Sequence, residues 1–208
     1  MKLTELTLKE IIAQTASDEP VPGGGSVSAL VGAFSAALTQ MVARLTLGRK
    51  KYADVEPEMK DVIAGVEDLG HSLLAQVDTD AEAYNTVMEA YRLPKETDAE
   101  KAKRKEAIQE ALKIAAASPL AIATTAAELL PFIELVATKG NANAVTDAGV
   151  AMLCCRTAVY GALLNVRVNL ASIEDEDFVG KTLVDCANLK ETVDRYEKKI
   201  LTHVNNSI

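Results

Sequence analysis

Tryptophan is absent from this 208-residue chain, and aromatic residues make up only 4% of it. Only two histidines occur, His71 and His203, and their separation matches no metal-ligand spacing, which argues against zinc. The three cysteines, Cys154, Cys155 and Cys186, include no C-x-x-C pair. An odd number without that motif argues against a disulfide framework and for a reducing, cytoplasmic setting. Basic residues number 22 against 30 acidic ones, and the net charge of −8 speaks against binding to nucleic acid or to an anionic membrane. A small anionic ligand is still allowed, because local charge decides that. The first residues, Met1-Lys2-Leu3-Thr4-Glu5, lack the basic-then-apolar pattern of a signal peptide. There is no G-x-S-x-G elbow and no Walker loop, so serine-hydrolase and P-loop chemistry have no sequence support.

Aliphatic residues are plentiful, and they recur with helical period. The expectation is an all-α chain in one domain, a bundle of long antiparallel helices. The clearest helix spans Glu58 to Leu93. Val62, Val66, Leu69, Leu73, Val77, Tyr84, Met88 and Tyr91 recur at spacings of three and four, apart from one gap. Asp80 fills that gap in register, within about 40° of the stripe centre, while Asp78 and Glu82 point more than about 100° away. Asp78 and Glu82 therefore read as solvated acids, and Asp80 as buried or facing a cleft. Such a carboxyl needs partners or it takes up a proton. Two readings are open: a structural Asp bonded to a neighbouring helix, or an acid–base group.

Before this helix, a short amphipathic helix is expected from Leu6 to Ala16, with Thr4 or Thr7 as its cap. The segment Pro20-Val21-Pro22-Gly23-Gly24-Gly25-Ser26 then stiffens and loosens the chain before a helix that begins at Ser26 and runs to about Leu47. The turn reads either as a tight helix start or as an anion cradle. The helix that follows is rich in Ala, Gly and Ser, and its length invites a transmembrane reading. Ser26, Ser28, Ser35, Thr39, Gln40 and Arg44 interrupt it, and no second apolar span is comparable, so a central helix or a dimer interface is expected. The basic cluster Gly48-Arg49-Lys50-Lys51-Tyr52 suits a helix C-terminus or an anion-binding rim.

Further on, Thr97 or Asp98 is expected to cap a helix, and Pro119 to kink or break it. Pro131 suits a first helical turn, Gly140 a helix end, and Thr146 the cap of a helix from Asp147 to about Ala171. That last helix carries Asn165 and Asn169 one turn apart on one face, and buried amides must find partners or a ligand. Cys154 and Cys155 lie mid-helix in apolar surroundings and read as inert packing. A charged amphipathic helix from about Asp177 to Val204 closes the chain.

The residues resemble the cyclodeaminase/cyclohydrolase family of folate enzymes. The resemblance rests on Pro20-Val21-Pro22-Gly23-Gly24-Gly25-Ser26-Val27, Thr46-Leu47-Gly48-Arg49-Lys50-Lys51-Tyr52, Val77-Asp78-Thr79-Asp80-Ala81-Glu82-Ala83-Tyr84 and Tyr91-Arg92-Leu93-Pro94-Lys95. It continues through Gly140-Asn141, Thr146-Asp147 and the run from Tyr160 to Leu170, and so covers roughly Leu6 to Ile173. It implies an all-helical homodimer acting on one-carbon tetrahydrofolates, with no metal or redox cofactor and no formiminotransferase half in this chain. Cyclodeaminases convert 5-formimidoyltetrahydrofolate to 5,10-methenyltetrahydrofolate and ammonia. Cyclohydrolases interconvert the methenyl and 10-formyl forms. The family's functional acid lies in the Asp-x-Asp-Ala motif, and the inward-facing Asp80 is assigned to it over Asp78. Asn141, Asp147, Asn165 and Asn169 become candidates for gripping the pterin or orienting Asp80. Lys50, Lys51 and Arg92 become candidates for the glutamate carboxylates. The turn Pro22, Gly23, Gly24, Gly25 and Ser26 becomes the place where backbone approaches the ligand. The competing classes are a non-catalytic helical dimerisation or binding module and, against the acidic balance, a membrane-surface protein.

Overall fold

In the computed structural model, which describes residues 2–208, four long helices close a ring. They are α2 (Gly24–Thr46), α3 (Glu56–Arg92), α4 (Asp98–Glu128) and α6 (Val145–Leu170). Helix α2 packs most closely against α3 and α6, and α4 fills the opposite corner between the same two. The short α5 (Leu130–Lys139) and the long α7 (Glu176–Ser207) cover the outside of α6, and α1 (Leu8–Thr15) rests near the start of α2. The remaining helical pieces are the 3-10 turns Leu3–Glu5, Lys50–Val55 and Ala142–Ala144, and the described residues contain no strand. Connections between successive long helices are short, so the neighbours run antiparallel.

Local signals set most of the ends. Thr7 caps α1 and Thr97 caps α4, each with the reciprocal glutamate, Glu10 or Glu100, three residues on. Small residues let α2 sit at the centre. A side chain on Gly32 would begin 3.0 Å from the Leu73 side chain of α3 and 3.3 Å from Ala158 Cβ of α6, so the glycine lets both neighbours pack directly on the α2 backbone. The hydroxyls of α2 are satisfied in helix backbone: Ser35 Oγ donates to the Ala151 carbonyl at 2.7 Å, and Thr39 and Thr46 bond one turn back. The core around them holds Met59, Leu73, Ile122, Leu129, Ile133 and Met152.

Several expectations are corrected. Helix α2 begins at Gly24 with Gly23 as cap, so two of the three glycines are helical. Helix α6 begins at Val145 after Ala144, and Thr146 is inside it and caps nothing. Pro119 does not break α4, which runs through it to Glu128. The buried face of α3 slides at its C-terminal end onto Ala83, Val87 and Ala90, leaving Tyr84 and Tyr91 exposed and Met88 half-buried. A straight helix drifts relative to a fixed three-and-four pattern, and 37 residues give that drift room. Asp78 is not a solvated acid: it accepts the Leu3 N–H at 2.5 Å and the Thr4 hydroxyl at 2.6 Å, tying the N-terminal turn to α3. The stretch Gly24–Thr46 is not alone in being apolar. The stretches Asp98–Lys139 and Ala142–Leu170 are also long and apolar enough to cross a membrane, with mean hydropathies of 1.7 and 1.4 beside its 1.5. Only about half of each apolar window (50%, 44% and 50%) is packed inside the bundle.

Candidate active site

The start of α2 meets the middle of α3 at one end of the ring, and a cleft of about 320 Å³ opens there. Its wall is the Pro20–Gly25 turn without Pro22, then Asp80, Tyr84 and Val87 of α3, Ala115 of α4, and Asn165, Val168 and Asn169 of α6. Gly25 decides how close the acid comes. A Cβ on Gly25 would fall 2.3 Å from one Asp80 carboxyl oxygen and 2.4 Å from the other. What the glycine admits is thus the carboxyl of Asp80, laid against the first turn of α2. The buried Ser26 hydroxyl reaches the Val77 carbonyl at 2.9 Å and Asp80 Oδ2 at 3.2 Å. Burial pushes the Asp80 carboxyl above its ordinary range, and the Ser26 hydroxyl and N–H only partly oppose this. Asp80 forms no ion pair among the described residues. The group is therefore biased toward holding a proton.

The two asparagines of α6 face the acid across the cleft, and both use their NH2 groups on backbone. Asn165 Nδ2 donates to the Gly161 carbonyl at 2.9 Å. Asn169 Nδ2 donates to the Ala115 carbonyl at 2.7 Å and to the Asn165 carbonyl at 3.1 Å. Asn169 has both N–H groups engaged and Asn165 keeps one in hand, and both amide oxygens are left to accept. The site thus combines one protonatable carboxyl with two amide acceptors. A second hollow of about 350 Å³ shares Pro20, Val21 and Tyr84 with it and holds Glu19, Glu89 and Arg92.

Comparison with known proteins adds to this geometry. The sequence profile described as formiminotransferase-cyclodeaminase matches residues 7–188. The chain belongs to the formiminotransferase-cyclodeaminase family.

Among relatives in this family, the methenyltetrahydrofolate cyclohydrolase of Methylorubrum extorquens is 40% identical over 202 residues, covering 97% of each chain. The formimidoyltransferase-cyclodeaminase of Mus musculus is 36% identical over 180 residues, 86% of this chain but 33% of that longer protein. The formiminotetrahydrofolate cyclodeaminase structure from Thermotoga maritima superposes with a TM-score of 0.89 at 31% identity, covering 99% of this chain and 98% of the other.

Not every residue that the family resemblance nominated lies at this cleft. Gly23, Gly24, Gly25, Asp80, Asn165 and Asn169 line it, and Ser26 reaches it through its hydroxyl. Arg92 stands in the adjoining hollow, about 18 Å along α3 from Asp80. Pro22, which follows a cis peptide bond, is buried and lines an apolar groove toward α1. Lys50 and Lys51 follow the other end of α2, about 33 Å from its start, and so lie outside the cleft of their own chain. Asn141 is at that far end too, where its N–H donates to Thr46 Oγ1 at 2.8 Å and its Nδ2 to the Leu45 carbonyl at 3.1 Å. Asp147, in the first turn of α6, is about 27 Å along that helix from Asn165. For Lys50, Lys51, Asn141 and Asp147 the reason is that motif order along a chain does not say which end of a bundle a motif occupies. Sequence reasoning also missed Tyr84 and Ala115 as cleft wall. For Ala115 a signal existed, since Pro119 lies four residues later and leaves the Ala115 carbonyl without its helical donor.

Proposed function

We propose that this chain is a cytoplasmic, homodimeric 5-formimidoyltetrahydrofolate cyclodeaminase. The observation that carries the reading is the Asp80 carboxyl, biased toward its protonated form at the wall of an otherwise apolar and amide-lined cleft. N10 of the substrate adds to the formimidoyl carbon on N5 and closes a five-membered ring with an exocyclic amine. Asp80 gives its proton to that amine, which leaves as ammonia while the N5–C–N10 bridge takes up the double bond. The formimidoyl group enters as its amidinium cation, so addition leaves N10 protonated; the carboxylate takes that proton before ammonia departs, which regenerates the acid and leaves the positive charge on the methenyl bridge. General acid–base help of this kind contributes about 10²–10⁴ in rate. The amide oxygens of Asn165 and Asn169 suit the donor edge of the pterin, its amino group and ring N–H.

A second reading is methenyltetrahydrofolate cyclohydrolase, favoured by the full-length similarity to the Methylorubrum extorquens protein. In it, water adds to the methenyl carbon and Asp80 moves the protons. One experiment separates the two. The purified protein receives 5-formimidoyltetrahydrofolate or 5,10-methenyltetrahydrofolate, and the methenyl chromophore and free ammonia are followed. Gain of chromophore with ammonia supports the cyclodeaminase. Loss of added methenyl compound above the spontaneous rate, with the formimidoyl compound untouched, replaces it with the cyclohydrolase. No change with either compound overturns both.

A further inference from the structure

We propose that the Asp80 cleft is completed by a second copy of this chain, packed antiparallel along α2, whose Arg49-Lys50-Lys51 loop receives the carboxylates of the folate tail. The proposal rests on the homodimeric folate enzyme put forward above and adds where the partner sits and what it contributes.

The outer face of α2 carries Val27, Val31, Phe34, Leu38, Met41 and Leu45, at alternating spacings of four and three. That is a seam of period 3.5, the pattern of a helix that pairs with another helix. Phe34 is 51% exposed and Leu45 42%, with Val27 and Met41 exposed as well and Val31 and Leu38 half-buried. The neighbouring face of α6 adds exposed Val150, Leu153, Leu164 and Val168. Exposed apolar area on this scale marks an interaction surface.

The seam is complementary to itself. Turned about a two-fold axis between Phe34 and Leu38, it pairs Val27 with Leu45, Val31 with Met41 and Phe34 with Leu38. A two-fold interface requires this property, because each residue meets its counterpart twice. The antiparallel pairing brings the loop that follows α2 in the partner, with the partner's Arg49, the partner's Lys50 and the partner's Lys51, to the end where Val21 and Gly23 of this chain border the cleft.

Charge points the same way. Arg49, Lys50 and Lys51 are exposed and form no ion pair among the described residues. At the cleft end, Asp18, Glu19 and Glu89 are likewise exposed and unpaired among those residues. Within one chain the two groups are separated by the length of α2. An antiparallel partner brings basic loop and acidic rim together at both ends, and adds cations beside a cleft whose adjoining hollow, among the described residues, is lined by one, Arg92. A lipid surface would cover the apolar face without matching either end, so a second copy fits better.

The test combines mass with complementation, using the full chain and whichever of the two folates the wild type turns over. Light scattering at micromolar concentration reports a dimer, and Phe34→Glu with Met41→Glu converts it to a monomer that has lost turnover. The variant R49A/K50A/K51A raises KM about tenfold with kcat within about twofold, and D80N loses turnover. The two variants are then mixed one to one and allowed to exchange, and differently tagged chains confirm the heterodimer. Measured well below the wild-type KM, the mixture recovers about one quarter of the wild-type rate, because each heterodimer regains one intact site. Recovery of no more than about one twentieth, with heterodimers present, places the basic loop outside the partner's cleft and overturns the proposal. A monomeric mass overturns it too, as does a monomer that co-sediments with phosphatidylcholine vesicles. A wild type inactive on both folates refutes the reading beneath it, whereas an active wild type that fails complementation refutes this proposal alone.

Discussion

Pro119, which has no N–H to give, leaves the Ala115 carbonyl to Asn169, whose Nδ2 donates to it from 2.7 Å away. A proline inside a helix normally costs stability through this orphaned carbonyl. Here the carbonyl belongs to the cleft wall and its new partner belongs to the site. The proline thus fixes which way the Asn169 amide faces: donor to α4, acceptor to the cleft. Replacing Pro119 by Ala restores a competing N–H. The expected outcome is a rise in KM of about two- to tenfold, the worth of one hydrogen bond, with kcat nearly unchanged. Steady-state kinetics read this directly, and an unchanged KM would mean that Asn169 does not touch the substrate.

Gly25 is a second point of dependence. Any side chain there must displace the Asp80 carboxyl, since the Cβ position lies 2.3 Å from it. Gly25→Ala is expected to lose about 1–3 kcal/mol of stability through overpacking. Turnover is expected to fall at least tenfold because the acid has moved. Chemical denaturation and an activity assay on the same preparation separate the two effects.

The two acids of the Asp-x-Asp-Ala motif have different jobs. Asp78 holds the N-terminal turn through Leu3 and Thr4. Asp78→Ala is expected to cost about 1–3 kcal/mol, the penalty for leaving the Leu3 and Thr4 donors without their acceptor, while turnover stays within about threefold. A large loss of turnover at unchanged stability would transfer the catalytic role from Asp80 to Asp78.

Asp80 also predicts a pH dependence whose sign follows from its direction of shift. Its carboxyl titrates above the ordinary value of 3.8 in the folded chain. Between that value and the folded-state one, the folded chain binds more proton than the unfolded chain, so stability falls as pH rises through the window. Below the window both states are protonated, and above it both are ionised. The urea midpoint of the wild type should therefore drop relative to that of Asp80→Asn as pH rises through the window, and turnover should lose its acid form over the same limb. Parallel midpoints for the two proteins would show that Asp80 is not perturbed by burial.

Much of this was legible in the chain because its cues are local. The three-and-four spacing from Val62 to Val77 gave helix α3 and its inward face, and put Asp80 on it. Thr7 and Thr97 announced their helices through glutamates three residues on. The cues failed where the answer depended on distant partners. Asp78 read as solvated because nothing near it in sequence says that Leu3 and Thr4 will bond to it. Pro119 read as a break because the partner of the freed carbonyl, Asn169, comes from another helix. The distance of Lys50, Lys51, Asn141 and Asp147 from Asp80 within one chain was not legible, because helix direction, and hence which bundle end they occupy, emerges only when the helices are counted up and down in space.

The central claim is that Asp80 carries the proton for the bond that breaks in the folate substrate. The most direct test is to compare wild type and Asp80→Asn for turnover and, by equilibrium binding, for affinity toward the folate that the wild type consumes. The account predicts a fall in kcat of about 10²–10⁴ with affinity and thermal stability close to wild type, since the amide keeps the shape and removes only the titratable proton. A kcat within a few-fold of wild type would contradict it, and would leave the cleft without an acid.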